Sequence, residues 1–285
     1  VAQAETGVRE RELSRQVCAD YINDYAARLR YDNMLRMDSL YADFSHVAKL
    51  RYDAQDISLL EYQTALNRSQ QVSLALREAA KDLQTAHLNL SRWLSADTVY
   101  AASDMDEHLD ASRLIGQAEH PTTVLGRQLM GLSEAAVGEA KALRLPKFFV
   151  EAGTQRIGSR NGYYAWQVGL SIPIAVGSGK ATVKAARIAA EQAQANAEDA
   201  ARQLANRRKT LMADYDKYRE STDYYRQHAL PLAREQRRMA AMSYKAGSVG
   251  YLDFIQAVDD ALSTEMSYVE TLTKLLESKY NLIYY

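Results

Sequence analysis

The sequence is short of the residues that break helices and of those that staple small domains, with 4 prolines, 13 glycines and one cysteine in 285 residues. A single thiol, Cys18, excludes an internal disulfide framework. Set in the helical pattern RQVCADYINDY, it reads as a small buried hydrophobe rather than a nucleophile. Excess charge is also missing: 35 basic against 36 acidic residues leave a net charge of −1, which excludes the basic face of a nucleic-acid binder. No apolar run approaches about 18 residues, so no transmembrane helix is expected. No secretory signal is legible either, and because the sequence opens at Val1 in the approach to a helix, that absence fits a fragment.

Chemistry-bearing clusters are scarce. His46, His87, His108, His120 and His228 are scattered, none with a second ligand at i+3 or i+4 that suits a metal. Eight methionines are spread through helical stretches, where core packing is the default, and Asp259 with Asp260 reads as a solvated helix face. The stretch LSIPIAVGSGKATVK has the order of a phosphate-binding loop, strand, glycine turn and helix. Two of the four fixed positions of that motif fail, however, since Ile174 stands for the first glycine and Ala181 for the serine or threonine. Neither cofactor, metal nor catalytic residue is expected.

What the chain has in abundance is helix. Helical patterning runs over about 9–49 and 59–94, interrupted by LRYDAQDIS, and again over 180–242 and 251–285, interrupted by YKAGSVG. Arms of about 55 to 60 Å suit antiparallel helical hairpins rather than a compact globule. In the last arm Leu252, Ile255, Val258, Leu262, Met266, Val269, Leu272, Leu276 and Tyr280 recur every three or four residues, an apolar seam of coiled-coil type. The hairpins also look duplicated. An offset of 192 residues lays Tyr52, Ala54, Leu60 and Ala65 on Tyr244, Ala246, Leu252 and Ala257, and Ile57, Glu61 and Tyr62 on Val249, Asp253 and Phe254.

Between the copies the pattern changes. Residues 96–118 read as a polar linker, and 119–146 as a helix with Pro121 near its start and Pro146 past its end. Over 147–174 the period becomes two: Tyr164, Trp166, Val168, Leu170 and Ile172 are apolar, while the positions between them are small or polar. FFVEAGTQRIG precedes this strand, joined to it by SRNG, whose Asn-Gly is a hairpin signal. Strands of about 9 to 11 residues with one apolar face fit a transmembrane β-barrel, with that face toward lipid. A surface hairpin packed on the helices is the alternative. A lone hairpin cannot span a bilayer, because its edges would stay unpaired.

In their order, LRLPKFFVEAG, VGLSIPIAVGSGKATVKAA, HALPLAREQ and SYKAGSVGYLDFIQAVDDAL resemble the TolC-like outer membrane efflux proteins, over essentially the whole chain. The resemblance implies a mainly α fold of long antiparallel hairpins forming α-barrel segments, with one β-hairpin from a shared barrel. The implied assembly is a homotrimer in outer membrane lipid with a periplasmic extension, meeting a periplasmic adaptor and an inner-membrane pump. Complete protomers of that family give four strands, so a chain with one hairpin is expected to begin after the first strand pair. The boundaries read as 1–95 and 175–285 for the two helical hairpins.

Family turns open with Tyr-x-x-Gly, matched by Tyr244 and Gly247. Asp253 matches the first of the aspartates that ring the periplasmic aperture, and Gln256 stands where a second occurs. Val249 stands where some members carry a basic gate residue. In the first copy Asp53, Asp56 and Glu61 fall in equivalent places, Asp56 also as an N-cap. Asp253 in turn suits the first turn of a helix for its dipole alone. Adaptor contact is expected at the turns, at Tyr52, Asp53, Tyr244, Gly247, Ser248, Val249 and Gly250. The barrel-to-helix junction is expected at Pro173, Gly177 and Gly179, the glycines bending the chain before a helix that starts at Lys180. The implied role is a passive exit duct of a tripartite efflux system, possible cargoes including drugs and heavy metals. A soluble helical-hairpin scaffold is the competing class.

Overall fold

The structure, a computed structural model of the chain, describes residues 1–94, 99–105, 119–173 and 176–284. Most of the expected 96–118 linker lies outside the described residues. The elements in order are α1 (Ala2–Asp53), α2 (Leu59–Ser91), α3 (Pro121–Ala142), β1 (Lys147–Ile157), β2 (Arg160–Ser171), α4 (Val176–Tyr224), a π turn (Tyr225–Ala229), α5 (Leu230–Lys245) and α6 (Tyr251–Tyr284). They fall into two compact units, one of Val1–Arg9 with Ala118–Asn206 and one of Glu10–Gln117 with Arg207–Tyr285.

The first unit joins the start of α1, α3, the β-hairpin and most of α4. Its helices meet through small residues: a Cβ on Gly126 would lie 3.2 Å from the Ala197 methyl, and one on Gly7 would lie 3.5 Å from the Pro121 ring. Pro121 opens α3 as the sequence predicts, at a position whose N–H has no helical acceptor.

The second unit holds the paired helices. Its core gathers at two levels: Met37, Tyr41, Phe44, Tyr244, Phe254 and Val258 pack near the turns, and Ile22, Tyr25, Leu90, Leu272 and Leu276 pack farther along. From α4 through α5 the helix is continuous where HALPLAREQ places Pro231, because the Leu230 N–H reaches back to the Tyr225 carbonyl across a π turn. The wider turn takes up the strain of a proline that cannot donate to the preceding turn.

The two turns begin and end at corresponding positions at the offset of 192. α1 ends at Asp53 and α5 at Lys245; α2 starts at Leu59 and α6 at Tyr251. In the first turn Gln55 N–H donates to the Tyr52 carbonyl and Asp56 N–H to that of Arg51. In the second, Gly247 donates to Tyr244 and Ser248 to Ser243. Both are Schellman caps, and their left-handed residues are Gln55 at φ 63° and Gly247 at φ 72°. Only the second copy uses the residue that suits this conformation. We therefore expect Gln55→Gly to stabilise the unit by about 0.5–1 kcal/mol, the relief of left-handed strain offset in part by glycine's unfolded-state freedom. Thermal unfolding measures it, and an unchanged midpoint would refute a strained Gln55.

Two sequence expectations are corrected by these caps. Asp56 is not the N-cap of α2: Ser58 is, its hydroxyl accepting from the Glu61 N–H at 3.2 Å. α4 begins at Val176 rather than Lys180, so Gly177 and Gly179 lie in its first turns with ordinary φ instead of forming a bend before it.

Candidate functional site

β1 and β2 form an antiparallel pair in which Phe148 faces Leu170, Val150 faces Val168, Ala152 faces Trp166 and Thr154 faces Tyr164. Opposed residues share a face, so the apolar set of β2 continues onto β1 through Phe148 and Val150, which the alternation in FFVEAG could have supplied. The other face carries Glu151 opposite Gln167 and Lys147 opposite Ser171. There the Phe149 ring covers Gly169, where a Cβ would lie 2.2 Å from it.

Every residue of β1 is exposed, as are Tyr164, Trp166, Val168 and Leu170. A hairpin packed on the helices would bury one face, and this one buries neither. Two details differ from expectation. The chain reverses at Gly158 (φ 62°) and Ser159, while Asn161 and Gly162 (φ 108°) form a bulge opposite Arg156. A two-residue loop needs its positive φ next to the reversal, and Gly158 supplies it there. Ile172 and Pro173 lie just past the end of β2.

At the turns of the second unit the sequence candidates separate by burial. Asp53, Asp56, Asp253, Gln256, Gly247, Ser248 and Gly250 are exposed; Tyr52, Glu61 and Val249 are half-buried. Tyr244, expected as a surface contact, is fully buried. Its ring stacks on Phe254 at 5.2 Å and meets Phe44 edge-on at 5.5 Å. A large aromatic ring at a helix end is held inward by the α1 side chains that cover it.

Burial pushes the Tyr244 hydroxyl above its ordinary range, and the negative charge of Glu61 adds to the shift. Arg51 spans the same corner, its guanidinium 5.4 Å from the Tyr244 ring centre and its Nε 2.6 Å from Asp56.

The residues missed by sequence reasoning are the apolar ones outside the core. Leu60 and Leu252 are 74% and 77% exposed, and Leu50 and Met242 are exposed as well. Leu252 was expected in the seam of α6, but near the turn Tyr251 and Phe254 face inward and Leu252 points about 100° away. Leu60/Leu252 was already an aligned pair at the offset of 192, and the same offset places Leu50 on Met242.

One turn deeper, a polar clasp ties three helices. Asp259 of α6 accepts two bonds from Arg68 of α2, at 2.6 and 2.7 Å, and one from the Tyr41 hydroxyl of α1 at 2.8 Å. Burial, reinforced by the carboxylate, raises the Tyr41 hydroxyl far above the ordinary tyrosine range, so it stays a donor.

Cys18 is half-buried, its Sγ 3.6 Å from the Tyr284 hydroxyl. Among the described residues, no group of three or more His, Cys, Asp or Glu could hold a metal ion, and no helix is long and apolar enough to cross a membrane.

Comparison with known proteins bears on these features directly. The family model described as outer membrane efflux protein matches residues 127–284. Among solved structures, a membrane protein from Pseudomonas aeruginosa is similar at a TM-score of 0.84 and 17% identity, covering 99% of this chain and 70% of that one. The outer-membrane channel OprN is similar at 0.84 and 20% identity, covering 99% and 67%. The outer membrane protein VceC of Vibrio cholerae is similar at 0.82 and 16% identity, covering 99% and 71%. No curated protein sequence matches the chain.

Proposed function

Given that the chain belongs to the outer membrane efflux protein family, we propose that it serves as the passive outer-membrane duct of a tripartite efflux system. In this reading it acts as a homotrimer, receiving cargo from an inner-membrane pump through a periplasmic adaptor. The observation that carries this reading is the hairpin, whose apolar face extends from β2 onto β1 through Phe148 and Val150 and stays exposed. Such a face is stable against lipid and unfavourable against water. Two strands leave open edges, and edges are not tolerated in hydrocarbon, so the hairpin completes its pairing with strands beyond its own two.

The turns of the helical unit then lie at the periplasmic end. Leu60, Leu252, Leu50 and Met242 offer the adaptor matched apolar contacts, while Asp253, Glu61, Asp56 and Gln256 line or flank the aperture. An exposed carboxylate repeated by threefold symmetry at a narrow opening enriches cations and repels anions. In planar bilayers the protein expressed from its complete gene is expected to give stepwise conductance with cation preference. Asp253→Ala should lower that preference several-fold. Absence of conductance would overturn the duct, whereas conductance with unaltered selectivity would overturn only the carboxylate ring.

A further inference from the structure

Where the hairpin joins its two helices, the balance of charge changes. Over 140–150 and 174–190 the sequence carries Lys141, Arg144, Lys147, Lys180, Lys184 and Arg187 and no acidic residue, in a chain whose net charge is −1. All six side chains are exposed, and none forms an ion pair or hydrogen bond with a described residue. Farther along α4 arginines are matched within a turn, Arg202 with Asp199 and Arg219 with Asp216.

The fold gathers these cations at one level. A Cβ on Gly179 would lie 3.3 Å from the Cγ of Arg144 and 3.5 Å from its Cδ, so the end of α3 and the start of α4 are neighbours and the Arg144 stem lies over the first turns of α4. Lys180, Lys184 and Arg187 follow at i, i+4 and i+7, which is one face of that helix, and Ile188 stands in the same row. Lys147 pairs with Ser171 at the foot of the hairpin, and the exposed apolar face begins at the next pair, Phe148 with Leu170. Leu143, Leu145, Ile172 and Ile188 are exposed among the cations. From Lys180 to Arg187 the helix rises about 10 Å, close to one Debye length at physiological ionic strength, so a charged surface at the foot of the hairpin acts on all of them.

We infer that this basic collar binds the phosphate headgroups of anionic phospholipid in the bilayer leaflet nearest the helices. The occupant is lipid rather than a dissolved anion because exposed leucine and isoleucine are interleaved with the lysines and arginines. A dissolved anion gives those apolar side chains no partner, whereas a bilayer boundary takes them toward its acyl region and leaves the cationic heads at the phosphates. Each lysine or arginine near an anionic surface strengthens attachment by about fivefold. With the apolar face on one side of the boundary and the cations on the other, the collar also sets how deep the hairpin sits. The inference rests on the reading of the hairpin as a membrane strand pair and adds the lipid class it selects.

Native mass spectrometry tests it, on the detergent-solubilised protein expressed from its complete gene and titrated with phosphatidylglycerol or with phosphatidylcholine. The parent is expected to bind phosphatidylglycerol about tenfold more tightly, and Lys180→Gln, Lys184→Gln and Arg187→Gln together to remove most of that preference. Arg202→Gln, Arg208→Gln and Lys209→Gln together make an equal change of charge farther along α4 and should keep it. Loss of the preference in both variants, or in neither, overturns the collar. A first variant that shifts ion selectivity in planar bilayers while its lipid preference is unchanged places the cations in the duct and overturns it too. A parent protein that conducts yet binds both lipids equally refutes the collar and leaves the duct; one that neither conducts nor binds either lipid refutes the duct as well.

Discussion

Phe254→Ala is expected to lower the stability of the helical unit by about 3–5 kcal/mol, the range for removing a fully buried aromatic side chain. The ring is fully buried and lies against Phe44 at 3.8 Å and Tyr244 at 5.2 Å, with Tyr41 and Tyr251 at 6.5 and 6.4 Å. Its loss opens a cavity among side chains from three helices, which cannot collapse without parting the helices from one another. Chemical denaturation of the detergent-solubilised protein gives the comparison. Leu252→Ala, two residues away and exposed, should stay within about 0.5 kcal/mol of the parent. Equal losses at the two positions would mean that the aromatic cluster is not the core of this end.

The second large effect comes from a buried charge. Arg237 of α5 donates to Glu265 of α6 at 2.8 Å, the glutamate side chain is 7% exposed, and its other oxygen accepts no hydrogen bond among the described residues. Removing the arginine alone strands that carboxylate between helices, so Arg237→Met is expected to cost about 3–5 kcal/mol. Adding Glu265→Leu should recover most of the loss, because replacing both members of a buried pair by apolar groups of similar volume is often neutral or favourable. Denaturation midpoints of the two single variants and the double variant form the cycle that measures it. A double variant no more stable than Arg237→Met would mean that the pair supplies packing rather than charge compensation.

Much of the architecture was legible along the chain. Helix boundaries at the turns follow from Ala-, Leu- and Gln-rich runs broken by YDAQDIS and YKAGSVG, and the two turns carry matching cap hydrogen bonds at the offset of 192. The apolar face of β2 follows from strict alternation, a local property of the strand. Local competition between similar signals was harder to read. Asn161-Gly162 and Gly158 both favour positive φ, and strand pairing selected Gly158 for the reversal. Asp56 and Ser58 can both cap a helix, and the pairing of Asp56 with Arg51 leaves Ser58 the role.

Nothing in the chain distinguishes Tyr52 with Tyr62 from Tyr244 with Phe254, or Leu59 from Tyr251, as outer from inner. Composition and periodicity act over a few residues, and they specify helix, strand, cap and turn chemistry here. Burial depends on which helix stands alongside: α1 covers α6, whereas on the matching face of α2 Leu59 and Leu66 stay exposed and Tyr62 is half-buried. For the same reason Tyr244, matched to the family's turn as a contact residue, belongs to the core: its neighbours Phe44 and Arg51 come from a helix about 200 residues away in sequence.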